Sequence, residues 1–111
     1  MENCLFCDIL NHKKQADIVY EDDKVMVFKD INPKTKVHLL IVPKKHIKSV
    51  NELKEEDKEL AGYMILTAQK MAQDQGIDQS GYKLLFNVGR GGGQLVDHIH
   101  LHLMGGGEVQ K

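Results

Sequence analysis

Asp97-His98-Ile99-His100-Leu101-His102-Leu103 is the stretch on which the reading of this chain turns. Polar and apolar residues alternate in it with a period of two, the period of a β-strand. A strand puts His98, His100 and His102 on one face and Ile99, Leu101 and Leu103 on the other. The apolar face accounts for the strand. The imidazole face does not follow from packing, because half of the chain's six histidines fall in this short run, where β-propensity favours threonine or tyrosine.

Immediately upstream, Gly89-Arg90-Gly91-Gly92-Gly93-Gln94 is a glycine-rich loop running straight into these histidines. Glycine lets backbone N–H groups come close to an anion, so the loop is expected to offer them to a charged ligand. Before it, Tyr82 to Val88 reads as a strand. Further back, roughly Glu55 to Gln75 predicts the longest helix: Leu60, Met64, Ala68, Met71 and Ala72 make one apolar stripe, widened by Ala61 and Ile65. Its acidic start suits the helix dipole and Gly76 stops it. Val37 to Val42 is an apolar strand interrupted by His38 and ended by Pro43. Val25 to Lys29 and Ile18 to Tyr20 are two more, with the polar turn Glu21–Lys24 between them. Asp30 and Asn32-Pro33 break the chain out of strand. Cys4 to Leu10 spaces Leu5, Phe6, Ile9 and Leu10 as a short first helix. Two helices and about five strands predict one α+β domain over residues 1–111 with a mostly antiparallel sheet. Sheet order is not readable.

A chain of 111 residues buries roughly two-thirds of its unfolded surface, enough for a core without staples. With 41% hydrophobic and 28% charged residues it is not a disordered sequence. A net charge of −1 gives no electrostatic basis for binding DNA, RNA or an anionic membrane. No apolar run approaches the ~20 residues of a membrane span, and Met1-Glu2-Asn3-Cys4 does not begin a signal peptide, so the cytoplasm is the expected compartment. In that reducing setting Cys4-Leu5-Phe6-Cys7 reads as half a metal site or a redox pair before a structural disulfide.

The histidine row admits two chemistries. Alternate strand residues lie roughly 6.6 Å apart, so two neighbouring imidazoles can converge on one ion, but His98 and His102 are too far apart to share it, and nothing beside them completes a catalytic zinc site. Phosphorus chemistry suits the row better. One imidazole can act as a nucleophile that splits a displacement into two, and its neighbour can donate or accept a proton near neutral pH.

These residues resemble the histidine-triad (HIT) superfamily, whose motif of histidines separated by apolar residues is matched by His98-Ile99-His100-Leu101-His102-Leu103-Met104. Phe28-Lys29-Asp30-Ile31-Asn32-Pro33, His38 to His46, Gly81-Tyr82, Asn87 and Gly92-Gly93-Gln94 are similar to its Hint-like branch. The resemblance implies a compact α+β homodimer that hydrolyses nucleoside phosphoramidates or related nucleotidyl substrates, purine nucleotides above all. It makes His100 the nucleophile and His102 a phosphate contact, and it places His98 and His38 in the network that orients the nucleophile or relays protons. Asp30 corresponds to the carboxylate that meets the ribose hydroxyls. Phe6, Ile9, Phe28 and Ile31 correspond to the base pocket, and Asn87 and Gly93 to phosphate contacts. No cofactor is implied for the reaction itself. A structural zinc held by Cys4, Cys7, His46 and His98 is implied by members with a similar amino-terminal pair.

Some positions depart from the branch. Leu95 stands where many members carry a serine able to meet the leaving group, and Asp97 replaces a common tyrosine or apolar residue. The chain ends at Gly105–Lys111 without the aromatic tail of some relatives. Two other functions use the same residues: a purine-nucleotide-binding regulatory module with little turnover, and a metal-dependent phosphoesterase with the histidines as ligands.

Overall fold

Alternation in the strands divides the apolar side chains between the two faces of a single sheet. The computed structural model describes residues 4–106; Met1–Asn3 and the tail from Gly107 onward, where the missing aromatic end was noted, lie outside them. Strands β1 (Ile18–Glu21), β2 (Val25–Lys29), β3 (Val37–Pro43), β4 (Tyr82–Leu85) and β5 (Leu101–Gly105) pair antiparallel throughout, in the order β1-β2-β3-β5-β4. The central strand β3 holds β2 on one side and β5 on the other, with Leu40 opposite both Phe28 and His102.

One face is covered by helix α2 (Lys58–Asp74), whose Met64, Ala68, Met71 and Ala72 pack against Val25, Val27, Leu39, Ile41, Leu101 and Leu103. The other is covered by the short helix α1 (Leu5–Leu10), where Phe6, Ile9 and Leu10 meet Met26, Phe28, Leu40 and Val42. The β2 and β3 residues in the two sets alternate along their strands, as a pleated sheet with both faces covered requires. No helix among the described residues is long and apolar enough to cross a membrane.

The elements match the α+β expectation, and their ends differ for identifiable reasons. Glu55–Asp57 form a tight 3-10 turn, and α2 begins only at Lys58. There the buried Asp57 carboxylate accepts the Lys54 N–H at 3.0 Å and the Lys45 ammonium at 2.6 Å. Ile65, expected to widen the buried stripe, is instead exposed beside Leu66. The strand expected from Val96 starts at Leu101, because β3 ends at Pro43, which has no N–H, and whose carbonyl is taken by the His98 side chain. Likewise the strand expected to reach Val88 stops at Leu85, where its pairing with β5 ends at His102. β5 closes on Gly105, where a Cβ would lie 2.8 Å from Ile77 Cδ1 and 3.2 Å from the Gly81 carbonyl.

Candidate functional site

Between α1, the end of β2 and the approach to β5 lies a cavity of about 310 Å³. Phe6 and Ile9 enter it from α1, Phe28 and Asp30 from β2 and its end, and His100 and His102 from the approach to β5 and its second residue. Ile31, Asn87 and Gly93 also line it, so every residue assigned above to base, ribose or phosphate is gathered at one place. Leu5, Lys14, Gln15, Ala16, Lys29, Asn32, Leu40, Leu95 and Val96 complete the wall. The residues from Lys14 to Ala16 carry no motif, which is why sequence reasoning passes over them. His38 and His98 are not part of the lining.

The imidazoles form an ordered chain of protons. His100 Nδ1 lies 2.8 Å from the main-chain oxygen of His98. A carbonyl only accepts, so Nδ1 carries the hydrogen and Nε2 keeps its lone pair. Phe6 holds this ring edge to face, with centroids 4.9 Å apart. His38 Nδ1 accepts the Lys34 N–H at 3.1 Å, so the hydrogen of His38 sits on Nε2 and points to His102 Nδ1 at 2.9 Å. His102 is then left with a hydrogen on Nε2, and that buried atom has no partner. Burial pushes His100 and His38 below the ordinary imidazole range and takes His102 down to about 4, so all three are neutral near pH 7.

Asp30 serves two neighbours: Oδ1 accepts the Asn32 N–H at 2.8 Å, and Oδ2 stands 3.4 Å from His38 Nε2. A carboxylate and another histidine therefore do lie beside His102, contrary to the expectation from sequence, and the three offer ligand atoms within 4.8 Å of one another. The Lys34 hydrogen bond argues against an ion there, because it leaves a proton on the very His38 nitrogen that a metal would need.

His98 departs from the shared imidazole face. Preceding β5, its fully buried ring turns away from the cavity into a cluster with Cys4, Cys7 and His46. His98 Nε2 donates to the Pro43 carbonyl at 2.8 Å, which leaves Nδ1 bare and facing the other donors. That atom lies 3.5 Å from each cysteine sulfur and 3.1 Å from His46 Nδ1. His46 Nδ1 is 3.7 Å from Cys4 Sγ and 3.3 Å from Cys7 Sγ. Burial drives the His98 ring down to about 4 and the Cys7 thiol up to about 11. Pro43, a strand stop in the sequence, is thus the group that orients His98, a role with no sequence signal.

The glycine loop corrects a second expectation. Its N–H groups are largely spent on the loop itself: Gly92 and Gln94 donate to the Gly89 carbonyl, and Gly93 to that of Arg90. Asn87 Nδ2 donates to the Gly92 carbonyl at 2.7 Å, so its amide holds the loop in place. Gly93, at φ +83°, closes the turn in a conformation that favours glycine. Gln94, almost fully buried, anchors it through bonds to the Gly89 N–H and to the Lys48 and Val96 carbonyls.

Over nearly its whole length the chain is similar to known proteins. The family model described as "Scavenger mRNA decapping enzyme C-term binding" matches residues 3–109. The chain is 44% identical over 105 residues to "Purine nucleoside phosphoramidase" of Escherichia coli (strain K12), covering 95% of this chain and 88% of that protein. It is equally identical to "Protein HitA" of Neisseria gonorrhoeae, covering 95% and 97%. Among solved structures, a HIT family hydrolase from Legionella pneumophila Philadelphia 1 superposes with a TM-score of 0.94 at 48% identity, covering 96% of this chain and 95% of that one. A histidine triad protein from Clostridium difficile gives 0.96 at 35% identity, covering 100% and 96%. The chain belongs to the histidine-triad family. It is an enzyme of that family, a nucleotide hydrolase of the histidine-triad type.

Proposed function

We propose that this chain, acting as one domain over residues 1–111, hydrolyses a purine nucleoside phosphoramidate, with His100 as the nucleophile. The observation that carries the reading is the pairing of two nitrogens at the cavity. His100 has its hydrogen fixed on Nδ1 and its Nε2 free, and the neighbouring ring of His102, 5.0 Å away between centroids, has a buried Nε2–H with nothing to bond. A nucleophile and an unused donor side by side suit a phosphorus centre, one attacking it and the other bonding a non-bridging oxygen.

His100 Nε2 attacks phosphorus, the bond from phosphorus to the leaving nitrogen breaks, and that nitrogen takes a proton from solvent and departs as an amine. Water then attacks the same phosphorus, the bond from phosphorus to His100 Nε2 breaks, the water's proton returns to solvent, and the nucleoside monophosphate leaves His100 free. His38 serves as a positioning residue that holds His102 in the donating tautomer, and His98 positions His100 through its carbonyl. Phe6, Ile9, Phe28 and Ile31 take the base and Asp30 the ribose, while Asn87 and Gly93 shape the wall beside the phosphate. The substrate class is supported by the E. coli relative, named for acting on purine nucleoside phosphoramidates. Incubation with adenosine 5′-phosphoramidate should release AMP, in the presence of a strong chelator as in its absence; no release would refute the reading.

Cys4, Cys7, His46 and His98 fit a structural zinc. Bonds of about 2.3 Å to sulfur and 2.0–2.1 Å to nitrogen give a tetrahedron edges of about 3.3–3.8 Å. The five separations involving a histidine nitrogen run from 3.1 to 3.7 Å. The ion would cross-link α1 to the sheet and take no part in the reaction. A cytoplasmic setting, which keeps thiols reduced, suits such a site. A homodimer is supported by the open outer edge of β4 and the exposed Ile65, Leu66 and Leu84; a monomeric mass at micromolar concentration would exclude it.

A further inference from the structure

Lys14 and Gln15 line the cavity from the link between α1 and β1. The next residue, Ala16, packs against the cluster that contains Phe6, Ile9 and Phe28. β1 lies three strand spacings, about 14 Å, from β5, the strand that holds His102. The link therefore borders the end of the cavity that takes the base, away from the phosphorus. It is fixed at both ends. His12, at φ 58°, adopts the left-handed conformation that turns the chain out of α1. The N–H groups of Lys13 and Lys14 then both donate to the Asp8 carbonyl, at 2.8 and 3.3 Å. Ala16 is held by its packing. Other lysines near this end are paired, Lys29 with Asp17 at 4.0 Å and Lys44 with Glu21 at 2.8 Å, whereas the Lys14 ammonium has no carboxylate within ion-pair distance among the described residues. An unpaired lysine at a surface is ordinary, but one on the wall of a ligand cavity offers the ligand a donor.

We propose that Lys14 is a specificity residue that selects a 6-oxopurine base, guanine or hypoxanthine, over adenine. This rests on the reading of the cavity as a purine-nucleotide site and adds which purine it prefers. An ammonium group only donates. The outer edge of a 6-oxopurine offers it two adjacent acceptors, O6 and N7, where adenine offers N7 beside a 6-amino group that is itself a donor. Lys14 therefore gains a contact with the first base and faces a competing donor on the second. Gln15 carries both a donor and an acceptor and can turn to suit either base, so it adds affinity without choosing. A base-edge contact discriminates by about fivefold at the low end of its range, and the exposure of Lys14 places it there.

The test is the calorimetric affinity of GMP, IMP and AMP for the wild type and for Lys14→Met, which keeps an unbranched side chain and drops the ammonium. The wild type should bind GMP and IMP about fivefold or more tighter than AMP, and Lys14→Met should bring the nucleotides close to parity. A variant that weakens them all alike would overturn the inference, because Lys14 would then attract the phosphate and not the base. IMP binding like AMP would overturn it too, since the discriminating group would be the 2-amino group of guanine. The ratio of kcat/KM for guanosine and adenosine 5′-phosphoramidates should follow the ratio of affinities in both proteins. Equal affinities with both phosphoramidates hydrolysed would remove the role of Lys14 and leave the hydrolase reading in place. A preference that Lys14→Met abolishes, with neither compound hydrolysed, would sustain Lys14 while the phosphoramidase reading fell.

Discussion

The His98 carbonyl accepts the Nδ1–H of His100 at 2.8 Å, while the ring of the same His98 stands among Cys4, Cys7 and His46. One residue therefore belongs to two sites, its side chain to the cysteine cluster and its main chain to the cavity. Phe6 repeats the pattern from the opposite element: it lies between the two cysteines on α1 and packs edge to face on both His100 and Phe28. His98 and Phe6 thus link the cysteine cluster to His100.

Replacing His100 with alanine should abolish turnover, by several powers of ten if it forms a covalent intermediate. Nucleotide affinity should change far less, since Phe6, Phe28 and Asp30 are untouched. Steady-state rates and calorimetric binding of AMP separate the two effects, and a variant of near wild-type rate would refute the covalent route.

Cys4→Ser removes one of the four donors of the proposed zinc site and should release the ion. Protein purified without a histidine tag should contain close to one zinc per chain, and the variant close to none. Losing a closed site costs stability, and because the His98 carbonyl also holds His100, kcat should fall as well, though less than stability does. Zinc-free wild type with both thiols freely reactive would refute the assignment.

Much of this was legible in the sequence because it depends on local period. The alternation through Leu101, His102 and Leu103 assigns two of them to the α2 face and leaves His102 for the other, as observed. The spacing of Cys4 and Cys7 suggested half a metal site or a redox pair, and both sulfurs stand in one cluster with His46 and His98. The remainder depends on long-range partners. Nothing local shows that Pro43 stops the ladder and turns His98 aside, that the Gly89–Gly93 loop consumes its own N–H groups, or that Ile65 faces outward. Each follows from which strand lies beside which, and sheet order was unreadable.

The buried imidazoles set a pH dependence. His102 is held at about 4 in the fold and returns to roughly 6.5 when unfolded. Between these values the unfolded chain binds the proton and the folded chain does not, so stability should fall as pH drops from about 6.5 to 4. Denaturant midpoints across that window should slope less in His102→Gln. By the same burial His100 stays unprotonated below the usual histidine range, so the acid-side half-maximal point of kcat/KM should lie below about pH 6.5. A half-maximal point at or above that pH would contradict the neutral nucleophile.

Asp30 has one oxygen committed to the Asn32 N–H and the other near His38. If Oδ2 meets the ribose, Asp30→Ala should weaken ribonucleotide binding by about 1.5–3 kcal/mol, the value of a charge-assisted hydrogen bond. Discrimination against the 2′-deoxy analogue should shrink with it. Asp30→Asn tests the turn separately, since it keeps an acceptor for Asn32. Unchanged discrimination in Asp30→Ala would reduce the residue to its turn.

Stability away from the site should depend on Asp22, which joins the β1–β2 turn to α2. Its Oδ1 accepts the Lys24 and Val25 N–H groups at 2.8 and 2.9 Å, and its Oδ2 accepts the Tyr20 hydroxyl at 2.8 Å and that of Tyr63. Burial alone would raise this carboxyl, but the hydrogen bonds outweigh it and hold it well below the usual carboxylate range. The same contact pushes the Tyr63 hydroxyl up. A carboxylate depressed in this way stabilises the fold above its unfolded value of about 3.9, and that stabilisation is lost as pH falls through and below it. Asp22→Asn should cost about 1–2 kcal/mol at neutral pH, allowing for its partial exposure. The deficit should narrow toward pH 2–3, where the carboxyl of the unfolded wild-type chain has taken up its proton. Tyr63→Phe should destabilise in the wild-type background and much less in Asp22→Asn, because the two changes break one contact. Urea unfolding of the four proteins completes the cycle. If the two losses simply add, the Asp22–Tyr63 contact contributes nothing to holding α2 on the sheet.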